Sequence, residues 1–266
     1  MSLTTQKIGT LEYLVAEGIS VPHCFTTRLG GVSTGYLDSL NIAMHREDAP
    51  ENVVKNHEIL ANALGYDVEK VVLSHQVHSD AVRVVTTCDC LGLDHHLYPE
   101  CDGLITNTPG VALVVFTADC TPILLHDPVT GAVGAVHAGW RGTAMDIAGK
   151  AVKAMEATFG CDSANIRAAI GPNIGSCCFE TDEEVPGAMV ETFGSAVEPF
   201  IRPTGNKYYV NLKEINRHAL FRAGVHHVDM SNDCTACSPQ RFWSHRITRG
   251  LRGSQGAIIV CKEKET

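Results

Sequence analysis

Hydrophobic positions along this chain fall into two kinds of run. Short blocks rich in β-branched residues mark strands: KVVLSHQV, AVRVVT, VALVVFTAD, TPILLHD, GAVGAVHA, IRAAIG and GAIIVC. Longer segments carry apolar residues at helical spacing between recognisable ends. Asp48, followed three residues later by Glu51, predicts the start of ENVVKNHEILANAL, which stops at Gly65. Thr143 is expected to open a second helix that Gly160 closes. Asn211 with Glu214 starts a third, NLKEINRHALFRA, whose Leu212, Ile215, Ala219 and Leu220 share one face before Gly224.

These helices are too few and too unevenly spaced for a regular βαβ alternation. The expected class is α+β, with mixed or largely antiparallel sheets packed with helices in α/β/β/α-like layers. No repeat, low-complexity stretch or Pro/Gly/Ser linker divides the chain, so residues 1–266 read as a single domain.

One stretch, ADCTPILLHDPVTGAVGAVHAGWRG from Ala118 to Gly142, has the pattern of a hairpin with chemistry at its open end. Asp127, Pro128, Thr130 and Gly131 supply the turn residues. Folding at Val129 brings Cys120 and His137 opposite each other to within about one residue of register. A thiolate beside an imidazole suits a borderline metal ion. Candidates for a third ligand stand in LSHQVHSD, where His75 and His78 are three apart. On a strand that spacing means opposite faces, so only one of them faces the site. Three protein ligands with a vacant fourth position is the pattern of catalytic zinc, whereas structural sites close all four. Thirteen histidines in one chain make accidental proximity the competing reading.

Composition narrows the partners. A net charge of −9 with no block of lysines or arginines argues against a nucleic-acid polymer. No apolar run reaches membrane-spanning length, and the N-terminal residues lack a signal-peptide core, so a cytoplasmic protein without a membrane partner is expected. Eleven cysteines, an odd number in a chain too large to need disulfide staples, point to reduced thiols in a reducing compartment.

Taken together, SHQVHSD, CDGLIT, TADCTPILL, AVHAGWRGT, GPNIGSCCFE and CTACSPQRFWSHR resemble the signature blocks of the laccase-domain family. Its members were once described as multicopper polyphenol oxidoreductases and are now understood as zinc-containing purine nucleoside phosphorylases of the YfiH/YlmD type. The resemblance runs from FTTRLGGVSTGYLDSLNIAMH to GAIIV, nearly the whole chain. It implies His78, Cys120 and His137 as zinc ligands and leaves His75 outside the set. It also implies a purine nucleoside and phosphate as substrates: adenosine, inosine or guanosine, with methylthioadenosine and an adenosine deaminase side activity as further expectations. Zinc with an open position can activate water, which fits the deamination. A monomer is expected.

Phosphorolysis needs an anion pocket, and Arg28, in TTRLGGVSTG, and Arg141, beside His137, are the cations assigned to it, because the guanidinium fork binds phosphate oxygens in pairs. Gly30 and Gly31 are assigned to close approach of backbone N–H groups to substrate, with an ordinary turn as the alternative. Asp119, beside a ligand, is the candidate proton carrier, and Asp102 reads as a buried structural aspartate. Near the C-terminus the family usually shows an arginine-rich SxRR segment. Here the chain reads SHRITRGLRGSQGAIIV, and Arg246 and Arg249 stand in for the missing arginine.

Trp140 and Trp243 are possible pocket walls or core residues. Cys234 and Cys237 form a Cys-x-x-Cys with no second such pair, and the resemblance implies no second zinc there, so a packed loop is expected. Cys177 and Cys178 read as buried small hydrophobes. Two other functions stay open: copper-dependent oxidation of phenols, since Cys and His also suit copper, and a zinc-stabilised binding module without catalysis.

Overall fold

The computed structural model describes residues 3–44 and 46–262. In chain order its strands are β1 (Thr4–Ile8), β2 (Leu11–Val15), β3 (His23–Thr26), β4 (Val71–Leu73), β5 (Val82–Val84), β6 (Gly103–Thr106), β7 (Ala112–Thr117) and β8 (Thr121–His126). They continue with β9 (Val133–Ala138), β10 (Arg167–Ile170), β11 (Glu180–Thr181), β12 (Ile201–Thr204), β13 (Lys207–Val210), β14 (His227–Met230) and β15 (Gln255–Val260). The α-helices are α1 (Pro50–Leu64), α2 (Trp140–Ala144), α3 (Ile147–Phe159), α4 (Glu184–Phe193), α5 (Leu212–Arg222) and α6 (His245–Thr248). None of them is long and apolar enough to cross a membrane.

Two six-stranded sheets carry the fold, in the orders β1-β2-β3-β15-β7-β4 and β14-β10-β8-β9-β6-β5, beside a small sheet β11-β13-β12. Most pairs are antiparallel. The parallel ones are β4 with β7, β5 with β6 and β10 with β14, so the expected mixed α+β architecture is the observed one. The near-continuous apolar runs of β7, β8, β9 and β15 have every residue buried, as strands covered on both faces require. One core holds Leu113, Val115 and Ile258 of the first sheet together with Leu124, Ala135 and Ala169 of the second. Leu60 of α1 joins it. The other face of the second sheet, through Ile123, Leu125 and Val136, packs on Ala151, Val152 and Met155 of α3 and Ile215 and Leu220 of α5. The second sheet thus contributes one face to each core.

Local signals decided several element ends. The β8–β9 turn forms on the expected residues: Asp127 Oδ1 accepts from the Val129 N–H at 2.8 Å, its Oδ2 accepts from the Thr130 hydroxyl, and Gly131 takes φ +80°. Gly65 and Gly160 close their helices in the left-handed conformation. Asn211 caps α5 through the Glu214 N–H.

Other ends differ from expectation. Asp48 does not cap α1. Its carboxylate is drawn away to Ser33 Oγ, Asn41 Nδ2 and Asn52 Nδ2, and the helix starts on Pro50 after Ala49, with proline fixing the first φ. Thr143 lies inside α2, where its hydroxyl accepts from Asn216 of α5, and Asp146 caps α3 instead. The block KVVLSHQV is strand only to Leu73, because the chain then leaves the sheet toward the site. The hairpin register pairs His137 with Pro122, so Cys120 lies two residues from its predicted partner, on the diagonal rather than opposite.

Candidate metal centre and anion pocket

Three segments deliver the donor atoms of a candidate metal site. His137 stands near the end of β9, Cys120 immediately precedes β8, and His78 sits in the loop after β4 with φ +61°. One donor atom from each of His78, Cys120 and His137 lies within 4.8 Å of the others, close enough to share one ion. Strand geometry does not select His78 over His75. The β4 strand ends first, and the backbone of the loop is gathered onto one carboxylate. Asp102, fully buried, accepts the N–H groups of Val77, His78 and Ser79 at 3.2, 3.1 and 2.7 Å, and the Ser79 hydroxyl at 2.7 Å. His75 faces elsewhere: its Nδ1 bonds the Tyr98 carbonyl, and its ring meets His95 and His96.

Asp102 also accepts from His137 Nδ1 at 2.7 Å, which fixes that ring and leaves Nε2 as the nitrogen able to bind a metal. Burial opposes ionisation of Asp102, but the His137 and Ser79 hydrogen bonds and the charge of His137 outweigh it and hold the carboxyl at about 2. Burial likewise opposes charge on His137; Cys120 and Asp102 prevail and raise it to about 9. His78 is lowered, by burial first and then by His137. Gly139 completes the fit, since a Cβ there would lie 2.5 Å from His78 Nδ1.

The three donors open into a cavity of about 130 Å³. Its other walls include Arg46, Arg252, Gln76, Phe116, Thr117 and Ser254. Strand order assembles them. The β15–β7 ladder pairs Gln255 with Thr117 and so sets the 252–254 segment beside the approach to Cys120. The Ser254 backbone then holds the chain at Asn41 and Ile42, donating to Asn41 Oδ1 at 3.0 Å and accepting from Ile42 N at 3.2 Å. Arg252 Nη1 is engaged by Gly253 O and Ser254 Oγ, but its buried Nε has no partner, and neither does the buried Thr117 hydroxyl. Burial, followed by the charge of Arg46, lowers Arg252 to about 10, so it stays charged at neutral pH. Two guanidiniums that line one cavity and lie close enough to repel suit an anion.

Most of the other residues assigned from sequence lie outside this cavity. Arg28 gives its guanidinium to the carbonyls of Asp38, Tyr36 and Pro239 and stacks at 3.8 Å on Trp243, which is buried core rather than pocket wall. Arg141 lies over Trp140 at 4.2 Å, and neither lines the cavity. Gly30 and Gly31 direct their N–H groups to Ser39 Oγ, and any Cβ would strike the Leu11 backbone or the Ser39 carbonyl, so they serve a tight chain crossing. Asp119 accepts hydrogen bonds from the Thr235 and Ser244 hydroxyls and the Arg246 N–H and does not line the cavity. Arg246 reaches the carbonyls of Cys178 and Glu180, and Arg249 ends α6 with φ +52°. Arg252, three residues beyond Arg249, reaches the cavity instead. The cation-rich run RITRGLRG was the available signal, but only strand pairing tells its arginines apart.

Three candidate metal donors beside an arginine-lined cavity, built on two facing sheets, fit a metal-binding class of protein. Residues 22–262 match the family described as multi-copper polyphenol oxidoreductase laccase, and the chain belongs to it. Among its relatives, the purine nucleoside phosphorylase YlmD of Geobacillus stearothermophilus is 38% identical over 247 residues, covering 91% of this chain and 90% of the relative. The purine nucleoside phosphorylase YfiH of Escherichia coli is 34% identical over 229 residues, 85% and 88% of the two chains. The crystal structure of the Bacillus licheniformis hypothetical protein YfiH superposes with a TM-score of 0.91 at 33% identity, covering 97% of this chain and 99% of that one.

Proposed function

We propose that this chain is a zinc-dependent purine nucleoside phosphorylase, converting adenosine, inosine or guanosine and phosphate into free base and ribose 1-phosphate. The observation that carries the reading is the single cavity shared by His78, Cys120, His137, Arg46 and Arg252. The names of the relatives support the same activity. One thiolate and two imidazoles fit zinc, which when bound with a vacant position supplies a Lewis acid.

The chain's own residues do the rest. Arg252 and Arg46, both in the cavity wall, hold phosphate and set it for attack on the anomeric carbon as the base departs. Phe116 offers an apolar face to the purine, beside Thr117 and Ser254 in the same wall. Asp102 keeps the His137 ring in one tautomer and orientation throughout.

The test gives purified protein adenosine with and without phosphate. Phosphate-dependent release of adenine, lost in Cys120→Ala, is the expected result; no adenine above that control overturns the reading. The same assay scores deamination, as inosine formed without phosphate, and methylthioadenosine as a further substrate. The Cys/His donor set also suits copper, so metal content after expression without added copper distinguishes zinc from a phenol-oxidising copper site. Eleven free cysteines support residence in the cytoplasm, where the chain is proposed to act as a monomer.

A further inference from the structure

A second cluster of metal-ligating side chains lies outside this cavity. Cys177 and Cys178 follow β10, and Cys234 and Cys237 follow β14. These two strands pair in parallel, Ile170 opposite Met230, and the bridge between Asn173 and Cys234 extends the pairing, so both loops leave the sheet at the same end. The four sulfurs all lie within 4.8 Å of one another. Cys237 Sγ is 3.4 Å from Cys178 Sγ and 3.5 Å from Cys177 Sγ. Neither cysteine of the vicinal pair is fully buried, contrary to the sequence expectation of small core hydrophobes.

We propose that Cys177, Cys178, Cys234 and Cys237 form a structural tetrathiolate zinc site, separate from the three-donor centre. A zinc ion about 2.3 Å from each sulfur has tetrahedral edges of about 3.8 Å, the range these sulfurs occupy. The surroundings favour thiolates. The Gly175 N–H donates to Cys234 Sγ at 3.1 Å, and the absence of a side chain at Gly175 allows that approach, since a Cβ would lie 3.2 Å from both Cys177 Sγ and Cys234 Cβ. Four thiolates on a divalent ion leave two negative charges, and two cations stand beside them. Lys213, buried, donates to the carbonyls of Ser231 and Asp233 just before Cys234, and Arg246 donates to the Cys178 carbonyl. On binding, each sulfur exchanges its proton for a bond to zinc, and the protons pass to solvent.

A disulfide explains the arrangement less well. Cys177 and Cys178 lie at nearly the same distance from Cys237, 3.5 and 3.4 Å, so no one disulfide pairing is singled out, whereas a single ion takes all four sulfurs. The site closes all four positions with protein sulfur, so its function is to fasten the loop after β10 to the loop after β14 rather than to bind substrate.

The test is zinc stoichiometry of the full chain purified under reductant. About two equivalents are expected in the native chain, and about one in each of His78→Ala and the double variant Cys177→Ser/Cys234→Ser. Because the double variant can fail to fold, cobalt is titrated into metal-stripped His78→Ala. Intense sulfur-to-cobalt charge-transfer absorption supports the proposal. Total loss of metal in His78→Ala, or a disulfide between any two of the four cysteines in the native chain, overturns it. These readouts are independent of nucleoside turnover, so a failed phosphorylase assay leaves this result standing and the reverse also holds.

Discussion

Asp102 Oδ1 lies 2.7 Å from His137 Nδ1 and 3.1 Å from the His78 backbone N–H, so one buried carboxylate orients one proposed ligand through its ring and the other through its main chain. The two histidines come from segments far apart in sequence. A change at Asp102 is therefore felt at both.

Asp102→Asn keeps the shape but replaces an acceptor-only carboxylate with an amide that offers one acceptor oxygen to as many donors. Metal affinity is expected to fall by about 10- to 100-fold, measured by competition against a chelator. Unchanged affinity would show that His137 needs no such partner.

Gly139→Ala places a methyl group 2.5 Å from His78 Nδ1 and is expected to displace that ring and empty the three-donor site. Gly187→Ala is the control. Nothing lies within 4 Å of its Cβ position in α4, so it is expected to raise stability by about 0.5–1 kcal/mol without altering metal content. Metal analysis and thermal melting read both.

Arg252→Met removes the guanidinium and its charge while preserving much of the side-chain volume. The Michaelis constant for phosphate is expected to rise roughly 10- to 100-fold, as loss of a charged hydrogen bond worth about 1.5–3 kcal/mol requires. An equal loss for nucleoside alone, at saturating phosphate, would move Arg252 out of the anion site. Arg252→Lys is expected to recover only part, because a point charge does not replace the fork.

His57 in α1 is buried with Nε2 on the Ile42 carbonyl, and burial lowers it to about 4. The unfolded chain takes up this proton near pH 6.5 and the folded chain does not until about pH 4. Between those values the unfolded state binds more protons, so stability rises with pH and is lost on acidification, by up to about 3 kcal/mol from this group. Denaturant titrations across that window should show the slope, and His57→Gln should flatten it. A flat native profile would contradict the assignment.

Much of the secondary structure was legible because its causes are local. The β-branched runs of β7, β8, β9 and β15 show their strands directly, and Gly65 and Gly160 mark helix ends through the left-handed backbone that glycine adopts freely. The Asp127–Gly131 turn is written in side chains that bond their own loop. Thus Cys120 and His137 could be brought near each other from sequence alone, and the error of register was small enough to leave them neighbours.

What the sequence did not show depends on strand order. Arg252 reaches the cavity because β15 inserts between β3 and β7, while Arg28 and Arg246 are equally cationic and are consumed by backbone carbonyls. Cys177 and Cys178 meet Cys234 and Cys237 only because β10 and β14 run parallel with matched ends. Residue type and spacing along the chain determined which side chains can bind metal or anion. Long-range pairing decided which of them converge, since a ligand set is a set of distances and most of those distances cross between elements remote in sequence.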